Sequence, residues 1–222
     1  MHPDLTHIDF WVFDLDNTLY PAESEFMALI EGKMTDLVMR QTGLGWDEAR
    51  ALQMKYLHEH GTTLAGLMAE HGVNPQDFID EVHDVELDRL KPDLELREAL
   101  ARLPGRRLVF TNGGAKHAER VLDALNLNDL FEDTFHLEAA GFVPKPTLST
   151  YHAMTTRHGV DPRRAAFFED SPHNLKPARE IGMTTVLVGR KAELFDFEDA
   201  YVDWRTRTLP PFLNAARLRQ AA

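Results

Sequence analysis

Four short apolar runs, set apart by stretches of helical periodicity, constrain this chain more than any other feature. They are "IDFWVFDL" at 8–15, "RRLVFTN" at 106–112, "AAFFED" at 165–170 and "MTTVLVG" at 183–189. Runs so short and so rich in Val and Phe read as strands buried on both faces, and their alternation with helices predicts a parallel α/β sheet. "AKHAERVLDALNL" brings Ala118, Val121, Leu122 and Leu125 to one helical face after a glycine pair. "TLSTYHAMTTRHGV" behaves the same way and stops at Gly159, before Asp161-Pro162. Both read as crossover connections in a Rossmann-like core.

The first and second runs are separated by about ninety residues without a strand, more than an ordinary crossover needs. That interval holds "SEFMALIEGKMTDLVMRQTG", "WDEARALQMKYLHEHG", "TTLAGLMAEHG" and "NPQDFIDEVHD", each with apolar residues at helical spacing and each ended by glycine or a turn signal. The pattern predicts an inserted helical domain over 20–89, with the Rossmann-like core formed by 1–19 and 90–222. "LKPDLELREALARLPG" leads back to the sheet as a helix and turn, and the basic tail "RTRTLPPFLNAARLRQAA" reads as a surface helix.

Composition narrows the function classes. A formal charge of -12 disfavours the basic surface that tracks a nucleic-acid backbone, so a polymeric anion is not the expected partner. With no cysteine there is no disulfide, thiolate metal site or cysteine nucleophile. The N-terminus lacks the pattern of a signal peptide and no apolar run reaches the length of a membrane span, so no membrane partner and a cytoplasmic location are expected.

Against that background the polar residues at the strand ends stand out. Asp14 and Asp16 end the first run, Thr111 and Asn112 the second, and Glu169 and Asp170 the third, while Lys145 lies in "FVPKPTLSTY", where prolines keep the backbone extended before a helix. Each alone has a plain structural explanation as a cap or solvated end. Together they gather where open α/β sheets place their ligand sites.

The order Asp14-Leu-Asp16-Asn17-Thr18-Leu19, then "VFTNGG", then Lys145, then "FFEDSPHN" resembles the haloacid dehalogenase-like hydrolase superfamily. Within it, "DLDNTLYP", "HGTTLAGLMAEHGV", "LKPDLELREAL" and "TNGGAKHAERVL" are similar to the pyrimidine 5'-nucleotidase family. The resemblance implies a phosphatase that binds Mg²⁺ through the Asp14 carboxylate, the Asp16 backbone carbonyl and the Asp170 carboxylate, with Glu169 either on the ion or just behind it. It implies that Thr111 hydrogen-bonds a phosphoryl oxygen, that Asn112, Gly113 and Gly114 line the phosphoryl site, and that Lys145 bridges nucleophile and phosphoryl group. The substrate it implies is a small phosphorylated molecule, a nucleoside monophosphate of the UMP or CMP class, and it implies a helical domain that closes over the site.

The chemistry of the paired acids agrees with that reading. Phosphate monoester hydrolysis needs an in-line nucleophile, a proton for the leaving oxygen, and positive charge for the phosphoryl oxygens. Asp14 can supply the first by forming an acyl phosphate, and Asp16, two residues further along an extended strand end, can supply the second. A phosphosugar phosphatase or mutase would use the same acids, whereas a haloacid dehalogenase needs neither Asp16 nor the Glu169-Asp170 pair. For substrate recognition, Thr62 and Thr63 are the expected contacts in the helical domain, with Asn174 and Tyr20 as further candidates; His58, His60 and His71 lack convincing metal spacing.

Overall fold

The computed structural model describes residues 2–194 and 200–219. In chain order its elements are β1 (Phe10–Phe13), α1 (Phe26–Thr42), α2 (Trp46–His60), α3 (Thr63–His71), α4 (Pro75–Val82), α5 (Leu94–Ala101), β2 (Arg106–Phe110), α6 (Ala115–Ala124), β3 (Asp133–Phe135), α7 (Leu148–His158), β4 (Ala165–Glu169), α8 (Pro172–Glu180), β5 (Thr184–Val188), α9 (Lys191–Leu194), β6 (Trp204–Thr206) and α10 (Leu209–Ala215). The chain divides into two compact units, 1–24 with 90–222, and 25–89.

In the first unit the described strands form one six-stranded parallel sheet in the order β3-β2-β1-β4-β5-β6. From β1 the chain builds outwards through β2 and β3, then crosses back to lay β4 on the other side of β1. The carboxyl end of β1 is therefore the switch point of the topology, where side chains from β1, β2 and β4 converge. Strand periodicity sends Val12, Leu108, Phe110 and Phe167 into one buried cluster with Tyr151, Met154 and Leu175. On the opposite face Phe13 stacks on Phe168 at 4.5 Å between centroids. Each such side chain removed from water contributes about 1.5–3 kcal/mol, which fixes the strand ends firmly enough to hold charged groups in place.

The two edge strands, β3 and β6, carry three residues each and were not expected from sequence. "DTF" and "WRT" are too short to display a period. The tail also departs from the surface-helix expectation. Arg205 and Thr206 lie in β6, and α10 buries Leu209, Pro210, Phe212 and Leu213, with the Phe212 ring edge-on to Phe168 at 6.0 Å. The last part of that tail, 220–222, lies outside the described residues.

The second unit consists of α1 to α4. Helices α1, α2 and α3 each end on a glycine in the left-handed region, Gly43, Gly61 and Gly72, as the sequence pattern predicts. Gly66 lets α2 and α3 pack closely: a Cβ at that position would lie 2.3 Å from the Tyr56 ring. Among the described residues no helix is long and apolar enough to cross a membrane.

Candidate active site

Asp14 follows β1 directly, and its backbone N–H continues the ladder to the Phe168 carbonyl at 2.9 Å. Its side chain is buried; Oδ1 accepts from Lys145 Nζ at 2.8 Å and Oδ2 from the Thr18 hydroxyl at 3.2 Å. The Lys145 ammonium is 1% exposed and donates also to Glu169 Oε2 and to the Phe110 carbonyl, both at 2.8 Å, beside the faces of Phe110 and Phe167. Burial opposes its charge, yet the Asp14 and Glu169 carboxylates outweigh burial and hold Lys145 above its ordinary pKa.

Asn112 explains how a loop lysine is placed so exactingly. Its Nδ2 donates to the Lys145 carbonyl at 3.1 Å and its Oδ1 accepts the Lys145 N–H at 2.8 Å. The Asn112 amide, expected to meet the substrate, bonds the lysine backbone through both of its ends. Thr111 is buried at the end of β2, and its hydroxyl accepts the Gly113 N–H at 2.8 Å. Gly113 has no room for a side chain, since a Cβ would lie 2.8 Å from the His117 ring and 3.2 Å from Thr111 Oγ1. Gly114 caps α6, whose Ala115 N–H bonds the Glu138 carboxylate.

Glu169 and Asp170 close the other side. Glu169 is buried, with Oε2 on Lys145 and Oε1 accepting the Ser171 N–H at 3.1 Å. Asp170 lies 3.5 Å from Lys191. One oxygen from each of Asp14, Glu169 and Asp170 falls within 4.8 Å of the others. Three carboxylates thus face one enclosed ammonium. Burial, then the Glu169 charge, pushes Asp14 up to about 7; burial, with Asp170 adding to it against the pull of Lys145, pushes Glu169 up to about 7. Burial raises Asp170 too, despite Lys191. The cluster lacks positive charge, and its all-oxygen donors suit a hard divalent cation. The residues present fit such an ion.

Asp16 stands apart from this cluster in its partners. Its Oδ1 accepts from the Tyr20 hydroxyl at 2.7 Å and lies 2.9 Å from His117 Nε2. His117 did not emerge from the sequence as a site residue. It reads there as one more polar position on an amphipathic helix, although it follows "TNGGAK" at the spacing that puts it one turn into α6.

Residues 8–182 match the haloacid dehalogenase-like hydrolase family. The chain belongs to this family. The haloacid dehalogenase-like hydrolase is 28% identical over 192 residues to phosphate metabolism protein 8 of Saccharomyces cerevisiae, covering 79% of this chain and 60% of that protein's length. It is 24% identical to the glyceraldehyde 3-phosphate phosphatase of Methanocaldococcus jannaschii, covering 93% of this chain and 96% of the other. Its fold matches L-2-haloacid dehalogenase from Xanthobacter autotrophicus with a TM-score of 0.58 at 18% identity, over 93% of this chain and 97% of that one. The hydrolase therefore has a relative named as a phosphatase and shares its architecture with a dehalogenase.

The remaining expected contacts have the following partners. Thr62 Oγ1 accepts the Ala65 N–H at 3.0 Å and caps α3, and Thr63 is buried within the helical unit. Asn174 sits in the first turn of α8, where its carbonyl accepts the Tyr151 hydroxyl at 2.6 Å. Tyr20 is at the site, against Asp16, and is buried.

Proposed function

We propose that this protein is a Mg²⁺-dependent phosphate monoester hydrolase that works through an aspartyl phosphate on Asp14. The observation that carries the reading is the different treatment of the two acids: Asp14 is held by an ammonium within a carboxylate cluster, whereas Asp16 is held by a phenol and an imidazole. The first environment, with a divalent ion added, suits an ionised nucleophile and the second a group that exchanges a proton.

The Asp14 and Asp170 carboxylates and the Asp16 backbone carbonyl would hold the ion, with Glu169 keeping Lys145 in place; when bound, the ion supplies charge neutralisation. An Asp14 oxygen attacks phosphorus while the bond to the leaving oxygen breaks, and Asp16 gives that oxygen its proton. Lys145 and Thr111 steady the phosphoryl oxygens. Asp16, now a carboxylate, takes a proton from water as the water oxygen attacks phosphorus. The bond to Asp14 then breaks, releasing inorganic phosphate and restoring both acids.

A halide leaves without a proton, so dehalogenation gives Asp16 and the carboxylate cluster no task. Phosphate release on a panel of monoesters, set against halide release from a 2-haloacid, separates the two chemistries. Asp14→Asn should abolish phosphate release while leaving the melting temperature unchanged or raised, because it removes one buried negative charge; substantial turnover in that variant would refute the aspartyl phosphate. For the substrate, the likeness of "DLDNTLYP" and "TNGGAKHAERVL" to pyrimidine 5'-nucleotidases favours UMP and CMP. Strand-end groups of the core are engaged around the phosphoryl site, so choice of base is assigned to the helical unit. A phosphorylated sugar is the second reading, supported by the archaeal triose phosphatase relative. The comparison of kcat/KM over UMP, CMP, AMP, GMP and several phosphosugars decides between them.

A further inference from the structure

We propose that Tyr20 and His117 are paired positioning residues that confine the transferable proton of Asp16 to one carboxylate oxygen, Oδ2. The inference rests on the phosphatase reading above and deepens it: the acid is aimed as well as present.

Both groups converge on the same atom. The Tyr20 hydroxyl donates to Asp16 Oδ1 at 2.7 Å, and His117 Nε2 lies 2.9 Å from that oxygen. A carboxyl oxygen offers two lone pairs, so two donors fill it. A proton on Oδ1 would have to displace one of them and leave a buried phenol or imidazole N–H without its partner, which is costly in an enclosed site. The proton of the acid form therefore belongs on Oδ2. That oxygen faces the loop assigned to the phosphoryl group, since a Cβ built on Gly113 would lie 3.6 Å from it.

The two donors come from different parts of the fold and each is mechanically fixed. Leu19 N–H reaches the Leu15 carbonyl at 3.0 Å, and Asn17 adopts a φ of 61°, giving a single tight turn after β1 that returns Tyr20 over Asp16 at i,i+4. Tyr20 is 3% exposed, and burial with the adjacent Asp16 carboxylate pushes its phenol far above the ordinary range, so it stays a donor. His117 is 2% exposed on the first turn of α6, with its ring against Gly113, where any Cβ would collide with it at 2.8 Å. For His117 to donate, the hydrogen sits on Nε2. Both donors bind a carboxylate more strongly than a carboxylic acid, so their hold tightens as the proton leaves for the alkoxide. Since neither donor needs to touch substrate, each acts through Asp16.

The test is leaving-group dependence, which a purely structural role does not alter. For the full chain with saturating Mg²⁺, kcat/KM reports the steps up to phosphoryl transfer. It is measured for p-nitrophenyl phosphate, whose phenolate leaves without help, and for the alkyl phosphate the wild-type enzyme hydrolyses fastest. Tyr20→Phe and His117→Leu should each lower the alkyl value by about 10–100-fold, a fraction of what a general acid contributes, and the aryl value by less than about 3-fold. His117→Gln, which keeps an N–H at similar reach, should recover much of the loss. Tyr20→Phe removes one oxygen and carries the test by itself if His117→Leu does not fold. Equal losses on both substrates, or no loss on the alkyl ester, would overturn the proposal while leaving the phosphatase reading in place. A wild-type enzyme that hydrolyses no phosphate monoester would overturn both.

Discussion

Lys145→Met makes the charge balance of the site measurable. Methionine is close to lysine in length and suits the space beside Phe110 and Phe167, which lie 5.0 and 5.3 Å from Nζ. The variant therefore removes three hydrogen bonds of 2.8 Å and one buried positive charge with little change in packing. Breaking a buried ion pair from one side costs about 3–5 kcal/mol, and for a protein of this size each kcal/mol moves the melting temperature by roughly 2–4 °C. The expected loss at about pH 8, in metal-free buffer, is on the order of 6–20 °C. The sign of its pH dependence follows from Asp14 and Glu169. Their folded values, about 7, lie above the ordinary 3.8 and 4.5, so the folded chain holds extra protons between those limits. Stability associated with these groups is fully present below the ordinary carboxylate range and is lost as pH rises through about 7. Without Lys145 both carboxyls rise further. Near pH 5.5 they are neutral and the substitution should cost little, whereas near pH 8 they must be ionised or held protonated at a cost. Thermal unfolding of wild type and variant at the two pH values, with EDTA present, reads the difference directly. An equal loss at both, or a larger one in acid, would refute the view that Lys145 offsets the two carboxylates.

Asp170→Ala should shift the Mg²⁺ titration of activity to at least about 10-fold higher concentration, since it removes a charged ligand while leaving the Asp14–Lys145 pair; a superimposable titration would place the ion elsewhere. Asn112→Ala should lower stability by about 1–3 kcal/mol through loss of two hydrogen bonds to the Lys145 backbone, with kcat falling more than KM rises because the displaced group is the lysine. Urea unfolding and steady-state kinetics on the same preparation check both parts, and an effect on KM alone would return Asn112 to the substrate.

The central strands were legible because each carries three or four consecutive buried apolar residues, WVF in β1, LVF in β2, AAFF in β4 and VLV in β5, a pattern that survives without context. β3 and β6 were not, since a three-residue edge strand is defined by its neighbour and not by its own residues. The tail misled for a related reason: "RTRTLPPFLNAARLRQAA" shows its charges plainly, whereas the apolar face of α10 is buried through contacts the tail does not itself contain, such as that of Phe212 with Phe168 of β4. At the site, Asp14, Thr111, Glu169 and Asp170 lie at or just after the ends of strands and could be read from position. Residues that hold them could not. Asn112 reads as a phosphoryl contact because it follows Thr111, but its amide matches the backbone of Lys145, 33 positions away. His117 lies 101 positions from Asp16, and only the fold brings them together.

The excess of negative charge ties these features into one device. Asp14, Glu169 and Asp170 present three carboxylates and Lys145 one ammonium, an arrangement that by itself repels a phosphate dianion. Burial, with that repulsion added to it, raises Asp14 and Glu169 above the ordinary carboxylate range. A divalent ion on Asp14 and Asp170 would offset the excess negative charge and favour the Asp14 carboxylate. Nucleophile and anion site would then become competent together, which is how a chain with a net charge of -12 would accept a phosphorylated substrate at this cluster. Asp16 has a different task, because its proton has to be present when the substrate binds and absent afterwards. Its contacts with Tyr20 and His117 give it partners that the three carboxylates do not share, two residues from the nucleophile.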